Sequence, residues 1–106
     1  MKEILEKIIS EHDLINQTFN NFWKCYDTYL SDEDSREEIE EYGLVNRNSI
    51  NVKLYGYSFW ISNDLDFEYI KVYIDCFFKG ESMRFATYWC IYNLQGELFD
   101  DYFVFE

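Results

Sequence analysis

Proline is absent from this sequence, histidine occurs once and glycine only four times. There is also no internal repeat and no low-complexity segment, so nothing reads as a linker or a repeated unit. One α+β domain over residues 1–106 is expected. No run approaches the length of a membrane helix. The N-terminal MKEILEKII alternates charged and aliphatic residues and lacks the apolar stretch and cleavage site of a signal peptide. Bases are scarce: 9 Lys and Arg stand against 21 Asp and Glu, a formal net charge of -12. Because phosphate binding needs clustered cations, this balance argues against nucleic acid or an anionic membrane as partner. A basic protein is the natural opposite. The three cysteines, Cys25, Cys76 and Cys90, are an odd number without close spacing. They read as free thiols in a reducing cytoplasm.

Aromatic residues, by contrast, make up 22% of the chain, so the charge decorates a folded domain rather than a disordered acidic one. The abundance of Asn, Ile, Tyr and Lys beside the missing proline suggests an AT-rich bacterial coding sequence.

Residues 68–105 read as a three-strand antiparallel meander, broken at Lys79-Gly80-Glu81-Ser82 and at residues 93–97. If Gly80-Glu81 is a two-residue loop, Phe78 faces Met83 and Ile70 faces Ile91. Alternation then gives a core face of Ile70, Val72, Ile74, Cys76, Phe78, Met83, Phe85, Trp89 and Ile91. Asn93 opening a three-residue loop that ends in Gly96 fits a type I turn with a left-handed glycine bulge, which adds Phe99, Phe103 and Phe105. Asp101 would lie on that face opposite Trp89, and must be paired, lie at the core's edge, or mark a bulge. Residues 48–62 supply a fourth strand with Gly56 as a bend or bulge. A three-residue loop at Asn63-Asp64-Leu65 pairs Leu54 with Ile74 and Tyr55 with Tyr73, sets Lys53 beside Asp75, and brings Ile50, Val52 and Leu54 to the core.

The opposite face then collects Tyr55, Tyr57, Tyr69, Tyr73, Tyr88, Tyr92 and Tyr102, with Phe59, Phe77, Cys90, Lys71, Asp75, Arg84 and Asp100 among them. Tyrosine offers large contact area at low entropic cost and is enriched at interfaces. A half-exposed antiparallel face with good cross-strand pairs is the plain alternative.

Residues 3–30 read as one helix, or as two with a break near Glu11, since Ile4, Ile8, Ile15, Phe19, Phe22, Trp23, Tyr26 and Leu30 recur at helical spacing. The predicted architecture is thus an N-terminal helix or helix pair packed on one face of a four-stranded antiparallel meander sheet. Between helix and sheet, SDEDSREEIEE sets seven acids against one arginine over residues 31–41. Ser35 with Glu38 resembles a capping box, and Ile39 and Tyr42 could anchor a short helix. A calcium loop begun at Asp32 fails, because Arg36 falls on a ligand position and Glu37 where glycine is required.

No catalytic, metal or nucleotide motif is present. His12 reads as a surface or capping residue, and one histidine with scattered cysteines does not make zinc spacing. Asp75 and Asp100, the one pair of carboxylates on the tyrosine face, sit on non-adjacent strands. Neither enzymatic activity nor a cofactor is expected.

A short, highly acidic, aromatic-rich α+β domain of this kind resembles the immunity proteins of bacterial toxin systems, including those of contact-dependent growth inhibition. The resemblance lies in size, charge and layout. It implies a cytoplasmic protein that binds a cognate basic toxin domain, often a nuclease, and occludes its active site. In this reading Asp32, Glu33, Asp34, Glu37, Glu38, Glu41, Asp64 and Asp66 supply charge and the seven tyrosines supply contact energy. The helix-then-meander order also resembles the nuclear transport factor 2-like fold, which implies a small-ligand pocket. A homodimer through the tyrosine faces is a third possibility.

Overall fold

The computed structural model describes residues 2–41, 48, 50–62 and 67–105. It is an α+β fold in which N-terminal helices pack on one face of a four-stranded antiparallel sheet of order β1-β2-β3-β4. The helices are α1 (Lys2–Glu11), α2 (Leu14–Ser31) and α3 (Glu33–Glu41), and the strands are β1 (Ile50–Ser62), β2 (Phe67–Phe78), β3 (Arg84–Tyr92) and β4 (Leu98–Phe105).

The helical stretch is two helices, as the second reading had it. His12 and Asp13 separate them, with Asp13 in the left-handed region (φ 52). Aspartate tolerates that conformation better than most side chains. Leu14, Thr18, Phe22 and Tyr26, one turn apart, are fully buried on α2, while Leu5 and Ile9 anchor α1. Ile4, expected in the stripe, is 58% exposed. The stripe of α1 is therefore rotated by one residue from the expected one. The turn between the helices also touches the far hairpin. Gly96 has φ +81, and a Cβ built there would meet His12 at 2.5 Å. Glycine is thus needed at this position both for its backbone and for the closeness of the histidine.

On β2 the expected alternation holds, with Ile70, Val72, Ile74 and Cys76 all buried on the helix-facing side. On β3 it is inverted. Ile70 lies opposite Tyr92, Val72 opposite Cys90 and Ile74 opposite Tyr88. One departure produces this: next to the loop the pairing is the expected one, with Phe77 facing Arg84, and the register then shifts, so that Cys76 faces Ala86. Phe85 is the extra residue, and it and Ala86 are both buried. Tyr88, Cys90 and Tyr92 therefore face the helices, and Trp89 and Ile91 the open side. Met83, expected in the core, is 80% exposed.

The turn into β4 forms as expected. Asn93 O accepts from Gly96 N at 3.1 Å, and Asn93 N donates to Glu97 O at 3.0 Å. A second shift follows, because Tyr92 faces Leu98 while Ile91 faces Asp100, so that the register passes over Phe99, which is 64% exposed rather than in the core. This bulge cancels the inversion of β3, so Phe103 and Phe105 return to the helix side and pack on the core. On β1, Leu54 faces Ile74 and Lys53 faces Asp75 as expected, then the register shifts between Leu54 and Gly56. Gly56, not Tyr55, lies opposite Tyr73, which turns Tyr57 and Phe59 toward the helices. The loop at residues 63–66 lies outside the described residues. The helix over 33–41 starts before Ser35, so the expected capping box is not at its N-terminus. Tyr42 is outside the described residues, as is the Ile39 side chain.

Candidate functional site

Two chemically distinct surfaces result, one acidic and one aromatic. The acidic surface belongs to the helical layer. Residues 2–41 hold twelve acids against four bases, a net of -8 out of the chain's -12. Asp32, an extended residue (φ -89, ψ 122), ends α2 and redirects the chain into α3. Glu33, Asp34, Glu37, Glu40 and Glu41 are exposed, as is Asp32, and Glu38 lies on the same helix. Glu33–Glu37 and Glu37–Glu41 are like-charge pairs one turn apart, each mildly destabilising. The last turn of α3 also holds acids and no basic residue, the reverse of what the helix dipole favours. In α1 the acids are partly balanced by exposed pairs, Lys2–Glu6 at 3.9 Å and Lys7–Glu11 at 3.8 Å. Asp64 and Asp66 lie outside the described residues.

The aromatic surface is the sheet face away from the helices. Of the seven tyrosines expected there, Tyr55, Tyr69, Tyr73 and Tyr102 are present, and Tyr57, Tyr88 and Tyr92 are on the helix side. Trp60 and Trp89 take their place. A continuous row, Tyr55–Tyr73–Trp89–Tyr102, crosses all four strands with ring centroids 6.3, 5.9 and 5.4 Å apart. Such contacts add about 0.5–1.5 kcal/mol each beyond area burial. Trp60 stacks on Tyr69 at 6.2 Å, and Lys71 Nζ sits 4.4 Å from the Trp60 ring centroid. Arg84 pairs with Asp75 at 3.0 Å, and Lys53 lies directly across the β1–β2 ladder from Asp75. The face thus carries Lys53, Lys71 and Arg84 against Asp75 and Asp100. Locally it is not acidic.

The tyrosines that turned inward hold a polar network between α2 and the sheet. Tyr92 OH lies 2.7 Å from Thr18 Oγ1, and Thr18 donates to Leu14 O at 2.7 Å, which leaves Tyr92 as donor to the threonine. Asn21 Nδ2 reaches Tyr92 OH at 3.4 Å and Cys90 Sγ at 3.8 Å. The Cys90 thiol donates to Tyr88 OH at 3.3 Å, and Tyr88 donates to Asp101 Oδ2 at 2.6 Å. Burial, then the bond to Asp101, raises the Tyr88 hydroxyl well above its ordinary value, and burial likewise raises Tyr92. Burial is the main cause lifting Cys76 to about 12 and Cys25 to about 11, the latter with help from the Asp101 charge. Neutral thiols of this kind are poor nucleophiles. Asp101 lies opposite Cys90 rather than Trp89 and is paired, on a bulged strand, as its inward direction required.

A groove of about 360 Å³ between α2 and β4 is lined by Asn21, Cys25, Tyr29, Leu98 and Asp101, with Lys24 and Thr28 completing it. It is open to solvent along one side. Comparison with protein-family models, curated proteins and solved structures finds no match to this chain. Among the described residues, no helix is long and apolar enough to cross a membrane.

The bulges on β1 and β3 explain which site residues sequence reasoning missed. Trp89 is next to Tyr88 and Trp60 next to Phe59, so a shift of one residue exchanges their faces. The 79–83 loop keeps the expected pairing, with Phe77 opposite Arg84, so no turn residue in the sequence announced the bulge at Phe85.

Proposed function

We propose that this protein is an acidic inhibitor of a basic protein, of the immunity type, and that its helical layer makes the recognition. The observation that carries this reading is the segregation of charge. Exposed acids gather on α3 and the α2–α3 junction, whereas the open sheet face is close to electrical balance. Acids set one turn apart and against the helix dipole cost α3 stability in isolation. A cationic partner relieves that repulsion as it binds. A nuclease presents a cationic cleft to its substrate, and a convex acidic helix can occupy such a cleft and be steered into it quickly. Asp32, Glu33, Asp34, Glu37, Glu38 and Glu41 carry this role.

The test uses affinity capture by the tagged protein from lysate of its own organism, at low and high salt. A second bait carries Glu33→Gln, Asp34→Asn, Glu37→Gln, Glu38→Gln and Glu41→Gln. The reading predicts a basic protein in stoichiometric amount, whose enzymatic activity the purified chain blocks. The neutralised bait should associate at least about tenfold more slowly, with a weaker salt dependence. Equal association by both baits, or a captured partner whose activity is untouched, overturns it.

A further inference from the structure

We infer that the open sheet face binds a second copy of this chain, aromatic row on aromatic row. The row Tyr55–Tyr73–Trp89–Tyr102 spans the full width of the sheet, and its ends are 67% and 44% exposed. Trp60, at 43%, and Val104, at 45%, extend the apolar surface to either side. Contiguous patches of this kind on a folded protein mark an interaction site.

Charge decides the occupant. A basic partner would meet Lys53, Lys71 and Arg84 on this face. A uniformly acidic one would meet Asp75 and Asp100 there. A second copy brings the same interleaved signs. In the register, the rows flanking the aromatic one are Lys53–Asp75–Thr87–Val104 and Ser58–Lys71–Ile91–Asp100. A two-fold axis running along the aromatic row, in the plane of the face, exchanges these two rows. Lys71 of one copy then meets Asp75 of the second, and the reverse, as a self-complementary interface requires.

The net charge does not oppose this arrangement, because most of it lies behind. With sheets stacked about 10 Å apart and a helical layer about 10 Å thick outside each, the two sets of α3 acids stay more than about 20 Å apart. That exceeds the Debye length of about 8 Å at physiological salt. The area is also adequate. Four strands about 4.8 Å apart and about nine residues long at about 3.4 Å each give about 600 Å² of sheet per copy. Two copies reach about 1,200 Å², the lower bound of stable interfaces.

Sedimentation velocity from about 1 μM to about 1 mM, spanning the range of weak to moderate dimers, tests the inference. A dimer should form in that range. Tyr55→Asp and Tyr102→Asp, at the exposed ends of the row and outside the core, should each weaken it at least about tenfold while circular dichroism stays native. Glu37→Gln on α3 should leave it unchanged. A monomer at every concentration overturns the inference. So does a dimer insensitive to both tyrosine variants, which would place the contact at the β1 or β4 edge, and so does a monomer whose Tyr55→Asp variant loses affinity for a captured basic protein.

Discussion

The two faces of the sheet are built from the same residue types to opposite ends. On the helix side, Tyr88 and Tyr92 are fully buried. Each hydroxyl has a named partner there, Asp101 or Thr18. On the open side, Tyr73 and Trp89 are half-buried, and each touches the next ring rather than a helix. Tyrosine is therefore not a marker of one face. What distinguishes the faces is whether a polar group of α2 or β4 waits for the hydroxyl. The helix side uses tyrosine as a core residue with a hydrogen bond, and the open side uses it as contact surface.

Truncation should separate the faces most strongly. Phe22→Ala removes a fully buried ring that meets Tyr88 and Phe103, each at 5.5 Å, and should cost about 3–5 kcal/mol by denaturant unfolding. Tyr55→Ala on the open side should cost less than about 1 kcal/mol. A similar cost for both would mean that the open face is as much core as the helix side.

Alkaline pH should act on the helix side next. Cys76, Tyr88 and Tyr92 all hold their protons more tightly folded than free, so the unfolded chain binds fewer protons as pH rises. Their stabilisation is complete below the free values and is lost above them, from about pH 9 for the thiol and about pH 10 for the phenols. Each group adds a slope of about 1.4 kcal/mol per pH unit. Stability, measured by unfolding from pH 8 to 12, should thus fall steeply, and a flat profile would contradict the buried network.

Tyr88→Phe is the finer probe. It deprives the Asp101 carboxylate of a 2.6 Å donor and should cost about 1.5–3 kcal/mol, as bonds to charged groups do. Tyr73→Phe on the open side should be within about 0.5 kcal/mol of neutral. Equal losses in thermal or denaturant unfolding would erase the distinction between the faces.

How much of this was legible varies along the chain. β2 could be read directly, because it pairs on both sides and alternates without interruption from Ile70 to Cys76. The turn at Asn93 was legible from its chemistry, since asparagine opening and glycine at the left-handed position leave little choice. β3 was not. The same tyrosine and tryptophan neighbours satisfy either face, and one extra residue at Phe85 inverts every side chain beyond it. Phe103 and Phe105 were placed correctly only because the bulge at Phe99 undoes that inversion. Of the candidate site, the acids of residues 32–41 were visible as composition, whereas Trp60 and Trp89 were hidden by register.

The sequence alone determined the helix-then-meander order and the excess of acid, because period, turn residues and charge are local properties, but it left open whether residues 3–30 form one helix or two. Tertiary structure decided which aromatic residues face solvent. Three bulges, at Tyr55, Phe85 and Phe99, set the faces. That at Tyr55 turns Tyr57 toward Glu6 of α1. Those at Phe85 and Phe99 turn Tyr88, Tyr92 and Phe103 toward α2, where ring packing and the bonds to Thr18 and Asp101 outweigh the unbroken ladder that local alternation favours.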